Sequence, residues 1–306
     1  MKKVFIAILA VGALASCSSD DLVSISREPI TFGEASIGKG TRAATDPSYG
    51  ANKLLNEFQV WGKVTGNTGN SLNIYNGADV ERRGVADGEA FWCSQTEYWV
   101  PSATYNFAAV AHATKVTTAD GLPSVIDYTA DGVSDLLYAE PITAKTDISA
   151  TPTSGVNANK CVPFVFSHLL SKVHFSFLST SQDLTVSDTS ITGYFTQGTY
   201  TIGATTPWVA DTKPATALSF GAADGTVNDD EAVTSALARL IIPGAQTWNI
   251  TIVQDGKPIT AELTHTFEPN TEYNILVTLQ GASAITFTIT SIEGWNNEEQ
   301  DIPLDF

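Results

Sequence analysis

The sequence predicts an all-β protein of two tandem β-sandwich domains behind a lipoprotein signal peptide. Apolar and polar residues alternate with period two in short runs along most of the chain, bounded by Gly, Asn, Asp and Pro. Outside the first stretch no amphipathic helix of about a dozen residues stands out. The 306 residues suit about two domains. Charged residues are only 16% of the chain, against about 25% in an average soluble domain. Thr, Ser, Ala, Asn and Gly take their place, as on secreted β proteins. The formal net charge of −17 repels phosphate and excludes nucleic acid as a partner. The single Met is the initiator, which rules out a Met-rich adaptable groove.

The first stretch is an address. Lys2 and Lys3 precede an apolar run from Val4 to Ala15, too short to span a bilayer but suited to a signal-peptide core. It ends in Leu14-Ala15-Ser16-Cys17, small residues before a Cys that look like a lipobox. There Cys17 is diacylated, as with palmitate, and becomes the new N-terminus once residues 1–16 leave. An ordinary secretory peptide with an incidental Cys17 is the alternative. Ser18-Ser19-Asp20-Asp21 fits a surface-export signal or a solvated tether. Cys93 and Cys161 remain, in apolar-aromatic surroundings. Outside the cytosol they either form the one possible disulfide or stay as buried thiols.

The strands follow in order. Val23 and Ile25, then Ile30 and Phe32, predict an early strand pair. Phe58 to Val64 is the next strand, closed by the turn residues Gly66 to Asn70. Tyr98-Trp99-Val100-Pro101 leads into Tyr105 to Val110. Val162 to Leu178 is a long apolar stretch holding His168 and Lys172. Later strands are predicted at 190–194, 199–202, 240–242, 248–253, 261–267 and 273–279. In the last, Ile285, Phe287 and Ile289 alternate with Thr286, Thr288 and Thr290. Leu169–Val173 or Glu231–Arg239 would hold a short helical turn. A polar seam near 179–187 separates two halves of sandwich size. The expected units are the signal peptide 1–16, a lipidated propeptide with first strand 17–42, and sandwich domains 43–182 and 183–306.

In this order the segments resemble the fimbrillin-like proteins, lipoprotein-derived fimbrial subunits of anaerobic Gram-negative gut and oral bacteria. The resemblance runs from the lipobox at Cys17 through Ile30-Thr31-Phe32 and Thr41-Arg42-Ala43 to Trp92, Tyr98-Trp99-Val100-Pro101 and Tyr105-Asn106-Phe107. It continues through Asp135 to Ala139, Phe166 to Val173, Leu240-Ile241-Ile242-Pro243, Tyr273 to Val277 and Ile292 to Trp295. It implies transthyretin-like, Greek-key sandwiches and a precursor lipidated at Cys17, placed at the outer membrane and cleaved by an extracellular protease between Arg42 and Ala43. The Gly, Thr and Ala residues around Arg42 make an accessible cleavage segment, although a plain linker reads the same. Cleavage would remove the first strand and open an apolar groove. A strand from another subunit would fill it by donor-strand exchange. The donor would be the segment 285–306, with Ile285, Phe287, Ile289, Ile302, Leu304 and Phe306 as plugs. Partners would be other fimbrial subunits, membrane lipid through Cys17, and a host or matrix ligand. The alternative is an uncleaved surface lipoprotein, either a fimbrial anchor or a glycan binder.

No pattern points to catalysis, a cofactor or a metal. His168 and His174 lie six apart, so one uninterrupted strand would point both to one face, as packed strand histidines. There is no GxGxxG, Walker or GxSxG pattern. Asp224 to Glu231 clusters carboxylates without the alternation of a calcium loop. Asp135 reads as a turn or edge residue, and Trp208 as the best candidate for an exposed ring that could stack on a sugar.

The lipobox reading predicts that Cys17→Ala removes the acyl mass from the exported chain and releases it from the membrane fraction. Intact mass spectrometry of surface protein checks this, and unchanged acylation would refute the assignment.

Overall fold

A computed structural model of the chain describes residues 28–37, 55–82, 91–180, 183–213, 216–280 and 284–293. Among them every element is a strand, and no helix is present. The first half holds β1 (Phe32–Ile37), β2 (Glu57–Thr65), β3 (Ser71–Glu81), β4 (Trp92–Cys93), β5 (Thr104–Ala111), β6 (Lys115–Ala119), β7 (Leu122–Thr129), β8 (Leu137–Thr146), β9 (Pro152–Ser154) and β10 (Val162–His168). Then come β11 (Ser171–Ser179), β12 (Val186–Thr192), β13 (Gln197–Thr201), β14 (Trp208–Thr212), β15 (Leu218–Gly221) and β16 (Val233–Thr234). The chain continues with β17 (Arg239–Ile241), β18 (Gly244–Gln254), β19 (Lys257–Phe267), β20 (Thr271–Gln280) and β21 (Ala284–Glu293).

Turn chemistry sets the hairpins. Asp255-Gly256 joins β18 to β19 with φ of 46° and 76°. A two-residue turn with both residues left-handed is the one whose twist matches the flanking strands, and Asp-Gly adopts it readily. Between β2 and β3, Gly69 takes φ 80° and donates its N–H to Gly66 O at 2.9 Å.

The strands form four sheets. One has the order β1-β10-β8-β5-β2-β3-β4, with β9 on β8. A second is β16-β11-β20-β21, with β17 on β11. The third is β15-β12-β18-β19 and the fourth β14-β13-β7-β6. Period-two alternation decides which faces are buried. On β10 the rings of Phe164 and Phe166 and the side chain of Val162 point inward while Val165 faces solvent. These join Phe32, Phe58, Tyr75, Trp99, Tyr105 and Phe107 in a first core. A second core gathers Val173, Phe175 and Phe177 of β11 with Phe220, Trp248, Phe267 and Ile275.

Two strand pairs run parallel, β1 with β10 and β11 with β20. The second pair is covered on both faces, as parallel strands commonly are. Lys172, His174 and Ser176 are therefore buried on the face opposite Phe175 and Phe177. Lys172 Nζ lies 3.5 Å from Glu272 Oε1, and His174 Nδ1 lies 3.3 Å from the same oxygen.

A third core takes residues from both halves of the sequence: Trp61, Val110, Tyr128 and Leu136 with Leu169, Leu170, Trp208, Leu240 and Ile242. Its sheet has the same origin, since β13 pairs with β7. Three expectations are corrected here. The short helical turns at Leu169–Val173 and Glu231–Arg239 are absent: the first is a bend leading straight into β11, the second a loop with β16 and the start of β17. Trp208 is not an exposed ring; it is 9% exposed and its indole N–H donates to Leu169 O at 2.9 Å. A ring beside a proline in a loop-like stretch was drawn inward because β14 pairs with β13 over this third core. His168 and His174 do not share a strand face, because the chain leaves one sheet at His168 and enters another at Ser171. The chain thus changes cores at Leu169–Leu170, and β11, ahead of the expected seam at 179–187, pairs only with strands that follow it.

On β21, Phe287 packs against the second core while Thr288 is exposed. Phe287→Ala should therefore cost about 2–3 kcal/mol, part of the full penalty for deleting a buried ring. Thr288→Ala should stay within about 0.5 kcal/mol. Equal shifts in denaturant midpoint would contradict this placement of the strand.

Candidate functional site

The segment Glu28–Ile37 lies in a slot in the first core. On one side β1 runs parallel to β10, with Phe32 opposite Val162 and Ile37 opposite Phe166. On the other side bridges join Pro29 to Tyr98 and Phe32 to Phe91. The backbone bonds alternate between the two walls, as a strand's must. Ile30 N–H donates to Glu97 O at 2.8 Å, Trp99 N–H to Glu28 O at 3.1 Å and Phe91 N–H to Phe32 O at 3.1 Å. Toward the β10 wall, Val162 N–H donates to Thr31 O at 2.8 Å. Strand β1 is thus an insert between two walls rather than a free edge.

Side chains fix the insert more than the backbone does. Phe32 is fully buried, with its ring centroid 5.4 Å from Tyr75, 5.9 Å from Phe107 and 5.8 Å from Phe164. Two of these contacts are edge-to-face, a preferred arrangement of ring quadrupoles. Ile30, Ala35 and Ile37 are buried beside it. Burial pushes the Tyr75 phenol far above its ordinary range, so this ring of the cage stays neutral. Gly33 lets β1 approach β10 closely, since a Cβ there would sit 3.0 Å from Cys161 Cβ and that side chain would have to give way. Thr31 Oγ1 donates to Cys161 Sγ at 3.3 Å. At the mouth, Lys160 Nζ reaches both carboxylate oxygens of Glu28 at 3.0 and 3.2 Å. That pair is half-exposed and contributes at most about 1 kcal/mol. Three exposed apolar side chains, Trp92 (39%), Tyr98 (44%) and Val100 (44%), lie on the wall opposite β10.

The site residues expected from sequence fall in different places. Cys17, Arg42, Ala43, Ile302, Leu304 and Phe306 lie outside the described residues, as do Val23, Ile25 and Trp295. Ile285, Phe287 and Ile289 stand on β21, antiparallel to β20, where they pack against the second core of their own chain. Cys93 and Cys161 are both free thiols. Burial raises the Cys93 thiol above its usual pKa, so it is no activated nucleophile. Asp135 follows the bend before β8, as expected of a turn residue, but it is buried, and its Oδ2 lies 2.5 Å from His168 Nδ1. The main-chain oxygen of Asp135 meets His112 Nδ1 at 2.7 Å, so the residue braces a loop from within. The acidic loop from Asp224 to Glu231 borders an open depression of about 480 Å³. Among the described residues no group of three or more His, Cys, Asp or Glu side chains is assembled that could hold a metal ion.

Sequence reading missed the slot itself. Ile30 and Phe32 were legible as strand residues, but their two walls come from residues about 60 and 130 positions later, a juxtaposition that no local pattern encodes.

A family model described as fimbrillin-like matches residues 41–295. The fold is similar to that of a candidate cell adhesion protein from Bacteroides ovatus, at TM-score 0.57 and 16% identity, covering 90% of this chain and all of that one at 100%. It is similar also to a candidate cell adhesion protein from Bacteroides uniformis, at TM-score 0.55 and 16% identity, covering 88% and 98% of the two chains. At such identity the likeness is one of fold. No curated protein matches the chain.

The cage predicts that Phe32→Ala lowers stability by about 3–5 kcal/mol. The weakened insert should also open Cys161, which lies against Thr31, to alkylation faster than in the parent chain. Cys161 alkylation that speeds up only as far as the loss of global stability accounts for would mean global unfolding instead of an opened slot.

Proposed function

The chain belongs to the fimbrillin-like family, and on that premise we propose that it is a structural and adhesive subunit of cell-surface fimbriae, made as a lipoprotein precursor. In this reading Cys17 carries lipid at the outer membrane, and cleavage between Arg42 and Ala43 detaches the segment that precedes it. The mature subunit is then residues 43–306, and it works without catalysis.

The observation that carries the reading is the position of the insert. Residues 28–37 occupy the slot of the first core, and Arg42 follows them by only a few positions. Detaching everything up to Arg42 would leave two walls with unpaired backbone groups and an apolar trench between them. Such a trench binds an extended strand, with ladder bonds for affinity and alternate side chains for specificity. We assign the donor role to the C-terminal segment of another subunit. In this chain Ile285, Phe287 and Ile289 are already engaged with β20, which leaves Ile302, Leu304 and Phe306 for the task. Residues 294–306 span at most about 43 Å when extended, at roughly 3.3 Å per residue. Trp92, Tyr98 and Val100 supply exposed surface for contact with a further subunit or a host or matrix ligand.

Protein recovered from the cell surface should begin at Ala43 without lipid, by N-terminal sequencing and intact mass, and should form filaments that a chain ending at residue 293 does not form. Recovery of only acylated chains beginning at Cys17, with no filaments, would replace this reading by an uncleaved surface lipoprotein, an anchor or a glycan binder.

A further inference from the structure

The buried polar row on the parallel pair β11–β20 holds groups that can react with one another. We propose that Lys172 and Glu272 condense to an intramolecular isopeptide bond, Nζ to Cδ, with His174 carrying the proton between them. This is independent of the donor-strand reading.

Register brings the groups together. Lys172 and Glu272 are direct partners on the parallel strands, as are His174 and Asn274. Residues 172, 174, 272 and 274 therefore project to one face. Lys172 Nζ lies 3.5 Å from Glu272 Oε1, and His174 Nδ1 lies 3.3 Å from the same oxygen. The carboxyl carbon is one bond from that oxygen, so a small side-chain movement brings Nζ to the roughly 3–3.5 Å of a near-attack geometry. Neither nitrogen of His174 has a hydrogen-bond partner, so no contact locks its tautomer. Further along the row, Ser176 Oγ donates to Asn274 Oδ1 at 2.8 Å, which occupies that amide and leaves Glu272 as the acyl group.

Burial favours the product. The pairs Lys63–Asp120 and Lys160–Glu28 each keep at least one side chain in water. At Lys172 and Glu272 both side chains are only 10% exposed, and His174 is 3%. An ammonium and a carboxylate in such a site have lost hydration that offsets their attraction, whereas an amide carries neither charge. Bulk water opposes condensation in solution. Here it is excluded, and holding the partners on adjacent strands supplies an effective molarity on the order of 10⁵–10⁸ M.

The step balances without an outside reagent. The ion pair passes one proton from Nζ to Oε1, giving an amine and an acid. The Nζ lone pair adds to Cδ, and His174 takes a second proton from the nitrogen and returns it to the Oε1 hydroxyl. The Cδ–Oε1 bond breaks, water leaves, and the imidazole ends as it began. The chain loses one positive and one negative charge. The new bond closes a loop of a hundred positions, from the strand that opens the second half to β20. Cross-links over long loops remove the most freedom from the unfolded chain.

Full-length protein from its own cells is denatured, digested and sequenced by mass spectrometry. The expected result is a branched peptide joining Lys172 to Glu272, lighter than its two arms by one water, with no trypsin cleavage after Lys172. Lys172→Arg keeps the charge pair but cannot form the amide, so it should yield two separate peptides and unfold at lower denaturant. His174→Gln should slow bond formation by about 100-fold or more, read as the linked fraction with time after a pulse of synthesis. The parent digest alone decides the bond, whatever the variants do to folding. Recovery of Lys172 and Glu272 from the parent chain in separate, unmodified peptides overturns the proposal. So does a branch from Lys172 to Asn274 that is lighter by one ammonia. A bond that forms at the parent rate in the His174→Gln chain overturns the role of His174.

Discussion

The architecture depends on one buried contact, the Phe32 ring within Tyr75, Phe107 and Phe164. These rings belong to β3, β5 and β10, so a single side chain from the N-terminal segment ties together strands spread along the first half. Backbone bonds on both flanks make the segment part of the sheet. It is nevertheless joined to the rest of the fold through non-covalent contacts and one chain connection. A core completed in this way is stable while the insert is present and strongly apolar once it is gone. In the proposed cycle, the contact that stabilises the precursor is also the source of binding energy for a replacement strand.

The second half is organised differently. Its centre is the parallel pair β11–β20, with rings on one face and Lys172, His174 and Glu272 on the other. Charges buried between strands add little net stability, since desolvation offsets attraction, but leaving one without its partner is costly. They therefore pin the register of β11 against β20. The third core then couples the halves, because Trp208 from late in the chain donates to Leu169 at the point where the chain changes cores.

Much of this was legible in the sequence because period-two alternation is local. The strands at 58–64, 105–110 and 285–289, the turn at Gly66 to Asn70 and the all-β class all follow from residues within reach of one another. The failures share one cause. Trp208 lies inside, Asp135 is buried against His168, and the chain changes sheets between His168 and His174, because each depends on a strand far away in sequence. Local polarity cannot report that β13 pairs with β7, which is what covers Trp208. The slot was hidden for the same reason. Its walls come from Phe91, Tyr98 and β10, all far from Ile30 and Phe32 in the sequence.

In the proposed cycle, cleavage at Arg42 acts through effective concentration and leaves every contact of the insert in place. While the chain is continuous, the insert is tethered beside its own slot at what amounts to a millimolar local concentration or higher. A tail from another molecule, even one with identical contacts, competes at its bulk concentration and loses. Once the bond is cut, the insert dissociates as a free strand and the tethering advantage disappears. The tail of a neighbour brings comparable plugs attached to a folded body, which can add contacts at Trp92, Tyr98 and Val100.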